Sequence, residues 1–146
     1  MRIHLPLCCA VLVFPALSGA WEVKVEETDR RIQQAQSGWK TPKGEPVLRA
    51  VLRGAKQGKK PGWARKVSRA APKAAWSESF NGKTYFFGAG LVEKVKDPAL
   101  RVSTAQDRAR AGLAGILGEP GVAGAIPIDW YGDKKGALYA LLVLVR

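Results

Sequence analysis

The side chains best suited to nucleophilic or metal chemistry cluster at one end of this chain. The single histidine, His4, and both cysteines, Cys8 and Cys9, fall within the first nine residues. Arg2 and His4 precede an apolar run from Leu5 to Leu17, and Ser18-Gly19-Ala20 places small residues at the minus-three and minus-one positions of a cleavage site. That pattern predicts a secretory signal peptide over residues 1–20 and a mature chain starting at Trp21. The run is too short to span a bilayer, which takes about 20 apolar residues. Without thiol or imidazole, the mature chain lacks what a Cys or Ser-His nucleophile, an ordinary zinc site or a histidine-ligated haem requires. It also lacks disulfides, so an ordinary core has to hold the fold in an oxidising compartment. A lipid anchor on Cys8 or Cys9 is disfavoured, because Leu7 precedes Cys8 and Cys9 lies inside the apolar run rather than at its end.

Carboxylates alone can perform acid–base chemistry when paired. Here Glu78, Glu93, Asp97, Asp107, Glu119, Asp129 and Asp133 show no catalytic spacing. They read as caps, turns and solvated charges. The expectation is a non-enzymatic protein with no catalytic residues, no metal and no cofactor.

The remaining chemistry is charge. Residues 21–75 carry fourteen Lys or Arg against five acids, whereas residues 76–146 carry nine against seven. Lys56, Lys59, Lys60, Arg65, Lys66 and Arg69 surround Trp63, with Trp39 and Trp76 on either side. Cations mixed with indole rings suit peripheral contact with an anionic envelope surface, whether anionic lipid, lipopolysaccharide or wall polymer. Charge alone would also suit nucleic acid, but the export signal counts against it. The competing reading is an arm whose lysines only solubilise the protein, with Trp63 and Trp76 as core anchors.

These residues need elements to hold them. The basic segment contains Pro42, Pro46, Pro61 and Pro72 and several glycines. It reads as an irregular, partly disordered arm over 21–75, with short helices around 26–36 and 46–53, the second ended by Gly54. Residues 76–146 read as a folded domain. Lys83 to Val92 is an aromatic and β-branched strand opened by Asn81-Gly82. Gly88 and Gly90 lie two apart on one face of it, which predicts close backbone approach. Asp97-Pro98 caps a helix and Gly118 stops it. Val102, Ala105, Ala109, Gly112, Leu113 and Ile116 form its apolar stripe. Ala125 to Tyr131 is a strand placed at an edge by Pro127, and Ala137 to Val145 is a third strand joined to it by a polar turn. The fold class is α+β: a small antiparallel sheet with one long helix packed on it, in the order strand-helix-strand-strand.

The last strand is apolar on both faces, with Leu138, Ala140, Leu142 and Leu144 on one and Tyr139, Leu141, Val143 and Val145 on the other. One helix covers only one face. The second face, marked by Tyr139, Leu141, Val143 and Val145, is therefore expected either to assemble with a second copy or an envelope partner, or to receive the arm.

Four segments, PKAAW (72–76), YFFGAG (85–90), ALRVSTAQDRARAGLAGIL (99–117) and DWYGDKKGALYALLVLV (129–145), together resemble the LPP20 lipoprotein family of bacterial envelope proteins. The resemblance covers about half the chain. It implies a dodecin-like α+β domain in a cell-envelope protein without known catalysis, with some relatives associated with flagellar basal structures or the outer membrane. It supplies no catalytic residues. This chain departs from the family in lacking a proper lipid-attachment cysteine and in its short link between helix and second strand.

Overall fold

Two positive backbone angles set the first hairpin. Asn81 at φ 49° and Gly82 at φ 75° form a two-residue loop of the kind that matches strand twist. The computed structural model describes residues 24–36, 47–54, 58–120 and 122–146; the expected signal segment, Trp39 and Lys56 lie outside them. The hairpin joins β1, Lys73–Phe80, to β2, Lys83–Val92. Strand β1 is an addition to the sequence reading, which began the domain at Trp76. Its KAAWSESF sequence has weak strand propensity, and it is held by antiparallel pairing to β2 along its whole length, from Phe80 opposite Lys83 to Lys73 opposite Gly90.

The long helix is framed as its caps predict. The Asp97 carboxylate accepts from the Ala99 N–H, Pro98 opens the first turn, and Gly118 ends it in the left-handed region at φ 66°. Two shorter helices precede it in the chain. We number them α1, Thr28–Gln36, α2, Val47–Leu52, and α3, Pro98–Leu117. A 3-10 turn, Val25–Glu27, leads into α1, and another, Gly62–Lys66, follows α2. Strands β3, Ile126–Gly132, and β4, Leu138–Val145, form the second hairpin. Asp133 Oδ1 fastens its turn by accepting from the N–H groups of Lys135 and Ala137, each at 2.9 Å.

The four strands form one antiparallel sheet in the order β1-β2-β4-β3. This is the expected α+β architecture with one more strand. Pro127 sits in edge strand β3, as expected, and the β3–β4 register shifts between Pro127 and Asp129.

Helix α3 covers one face. Ala105, Ala109 and Leu113 are fully buried against Leu138, Ala140 and Leu142. Gly88 and Gly90 permit this: a β carbon on Gly90 would stand 2.1 Å from the Ala105 carbonyl oxygen. One stripe residue departs from expectation, since Ile116 is 46% exposed.

The opposite face holds Tyr85, Phe87, Leu91, Ile128, Tyr139, Leu141 and Val143. Its cover is the basic segment itself. Trp63, Ala64 and Val67 are buried there, with Val25 and Ile32 half-buried alongside. The described parts of residues 24–72 therefore pack as structural elements, where the breaker-rich composition had suggested an irregular arm. The second apolar face overrides local propensity, because leaving it open would expose the fully buried Leu141 and Tyr85.

Candidate functional site

The basic segment turns on Pro61, whose extended backbone and carbonyl set up the 3-10 turn; the Ala64 N–H donates to that carbonyl at 3.1 Å. The turn drives Trp63 into the sheet, leaving it 5% exposed. Its indole Nε1–H donates to Asp129 Oδ2 at 2.9 Å.

Asp129 reaches that position through the irregularity in β3. Pro127 pairs with Leu142 on the helix side, and Asp129 pairs with Leu141 on the covered side, with Ile128 inserted between them. The extra residue is a β-bulge, a device that re-aims a side chain. Ile128 and Asp129 thus both face the basic segment. Arg31 of α1 lies 3.6 Å from Asp129 Oδ2, and the Trp130 N–H donates to Oδ1 at 2.9 Å. One carboxylate ties two pieces of the N-terminal half, through Arg31 and Trp63, to the sheet.

Burial pushes the Asp129 carboxyl up to about 6, against the opposing pulls of Arg31, the Trp130 N–H and the Trp63 indole. The folded state therefore binds this proton more tightly than the unfolded chain does. The stabilisation is fully present below about pH 4 and is lost as pH rises through about 6, a change on the order of 3 kcal/mol. Urea unfolding from pH 4.5 to 8 should show wild-type stability falling through pH 6 relative to Asp129→Asn. Parallel curves for the two proteins would contradict this assignment.

The candidate surface residues divide by role. Lys56 lies outside the described residues. Lys60 is half-buried, with Nζ donating to the Tyr139 hydroxyl at 2.9 Å and lying 4.5 Å from the ring centre. Trp63 is a core anchor rather than a surface ring. Lys66 is exposed, with its ammonium 4.6 Å over the Trp76 ring. Arg69 is exposed and paired with Glu93 at 2.8 Å. Lys59 and Arg65 are exposed as well. From Pro46 to Ser77 the chain has nine Lys or Arg and no acid, so the short turn presents its cations without intervening negative charge.

The proposed assembly face is covered from within. Tyr139 is 4% exposed, Leu141 0% and Val143 1%, and only Val145 at the strand end is half-buried. The basic segment, through Trp63, Ala64 and Val67, covers this face.

Sequence reasoning missed Arg31 and Asp129 as a pair. By its local sequence Asp129 reads as a cap, turn or surface charge, whereas its pairing depends on a bulge and on a partner 98 positions away. The available signal was a lone carboxylate between Ile128 and Trp130 in a strand already marked by Pro127. Comparison of the chain with protein-family models, with curated proteins and with solved structures gives no match.

Proposed function

We propose that this is a non-enzymatic, exported envelope protein that makes peripheral contact with an anionic surface through residues 59–69. The observation that carries the reading is a rigid cationic turn. Trp63 fixes the turn to Asp129, and Lys59, Arg65, Lys66 and Arg69 remain exposed around it. Anchored cations lose little conformational freedom on reaching a surface, which favours binding over a floppy arm of the same charge. The envelope setting follows the expected export signal and the resemblance of the motif order to the LPP20 family. Assembly through Tyr139, Leu141 and Val143 would require the basic segment to leave the sheet, so that alternative is the weaker one.

The test is sedimentation with vesicles of phosphatidylcholine alone and with added phosphatidylglycerol. Binding is expected only to the anionic vesicles and should fall steeply with salt. Each basic residue near such a surface is worth about 1 kcal/mol, so the triple change Lys59→Gln, Arg65→Gln, Lys66→Gln should weaken binding roughly a hundredfold. Equal binding by the triple variant would overturn the reading.

A further inference from the structure

Three cationic side chains from separate parts of the chain meet around one concavity. A depression of about 290 Å³ is lined by Arg69, Pro72, Leu91, Glu93, Lys94 and Arg108. Arg69 follows the basic turn, Glu93 and Lys94 leave the end of β2, and Arg108 reaches in from α3. We propose that this depression is a binding site for a phosphate group.

Leu91 and Pro72 supply the apolar part of the lining, and Arg69, Glu93, Lys94 and Arg108 the charged part. Arg108 is fixed in place by donating Nη1 to the Leu91 carbonyl, which leaves the rest of its guanidinium fork to face a ligand. Lys94 has no ion pair among the described residues and sits at φ 59°, a left-handed conformation uncommon outside glycine. That turn places consecutive residues 93 and 94 on the same depression. Arg69 Nε donates to the Glu93 carboxylate at 2.8 Å. An internal carboxylate thus holds the Arg69 Nε–H that an incoming oxyanion could take. The Glu93 carboxyl is held below its usual range first by this hydrogen bond, and the charges of Arg69, Lys94 and Lys135 act in the same direction. Arg69, Lys94 and Arg108 outnumber the one acid in the lining, so the depression keeps a net positive charge with Glu93 ionised. Planar guanidinium forks and an ammonium are the groups that hold phosphate oxygens.

The phosphate belongs either to a lipid headgroup or to a soluble phosphate compound. The headgroup source rests on the surface reading above, while the site itself does not. Inorganic phosphate titrated into the full chain at constant ionic strength, followed by amide NMR, should shift Leu91, Lys94 and Arg108 saturably. Lys94→Gln and Arg108→Gln should each weaken the affinity about tenfold. Glu93→Gln, which leaves only a weaker neutral acceptor on Arg69 and removes a repelling charge, should strengthen it several-fold. Lys83→Gln, at the far end of β2, should change nothing. Shifts that do not saturate, or affinities equal across these variants, overturn the proposal; circular dichroism on each variant excludes unfolding as the reason.

A second arm uses phosphatidylglycerol vesicles. Release of bound protein by saturating phosphate at constant ionic strength identifies the headgroup as the source. Phosphate binding without release identifies a soluble compound. Vesicle binding with no phosphate binding overturns this site and leaves the surface reading standing. Phosphate binding with no vesicle binding does the reverse.

Discussion

Replacing Gly90 with alanine will destabilise the protein by about 3 kcal/mol, with the loss read as a lower urea midpoint. The added β carbon would meet the Ala105 carbonyl oxygen at 2.1 Å and the Ala109 nitrogen at 2.6 Å. Both are backbone atoms of α3, so no side-chain rotation relieves the clash. The helix would have to rise by roughly 1 Å to restore ordinary separation. That movement would loosen Ala105, Ala109 and Leu113 from Ala140 and Leu142 together, because a packed helix moves as a unit. Gly88 faces the same constraint from the Ala109 carbonyl oxygen at 2.4 Å. Gly115 supplies the contrast. It lies in the exposed helix interior with nothing within 4 Å of an added β carbon, so Gly115→Ala should raise stability by about 0.5–1 kcal/mol. If both alanine variants moved the midpoint in the same direction, close seating of α3 on β2 would not be what these glycines serve.

The second large effect belongs to Trp63. Its replacement by alanine should cost about 3–5 kcal/mol, the range for removing a buried indole. The loss is expected to be structural as well as energetic. Without the ring, Tyr139, Leu141 and Val143 lose the centre of their cover, and the Asp129 carboxylate loses a donor while still buried. Trp63→Phe separates the two effects. It keeps most of the apolar cover but removes the indole N–H and part of the ring, for about 1–3 kcal/mol, chiefly from the donor lost to the buried carboxylate. Urea unfolding should therefore rank wild type above Trp63→Phe, and Trp63→Phe above Trp63→Ala. Binding of a hydrophobic dye should rise in the alanine variant alone. An alanine variant as stable as wild type would mean that the turn is not what seals this face.

The C-terminal half was legible because its signals are local. Asp97-Pro98 and Gly118 bound α3 at the observed residues, and the aromatic run of β2 has its predicted limits. The glycine pair on β2 announced a close neighbour, and α3 is that neighbour. Pro127 placed β3 at an edge. The two-faced apolarity of β4 required a second cover, and the basic segment provides it. What was not legible depends on distance along the chain. KAAWSESF becomes β1 through its pairing with β2, since Lys, Ala, Ser and Glu, all poor strand formers, outnumber its two aromatics. The basic segment carries many breakers, yet Trp63 and Val67 are held by residues from Tyr85 to Val143. Lys60 and Arg69 looked like free surface charge, but their partners, Tyr139 and Glu93, lie 79 and 24 positions later. No window of local sequence contains both members of such a pair.

The strand order also constrains when the fold can form. β1 with β2 and β3 with β4 are local hairpins, but the seam between them, from Tyr85 opposite Val145 to Val92 opposite Leu138, joins residues far apart in the chain. Closing that seam carries the loop entropy of everything between, including α3, so it is the step on which the folding rate depends. The basic segment is made first, and its platform is finished last. Until β4 arrives, Trp63 and Arg31 have neither the apolar face nor the oriented carboxylate they dock on, and the molecule passes through synthesis with its cations and its tryptophan unclaimed.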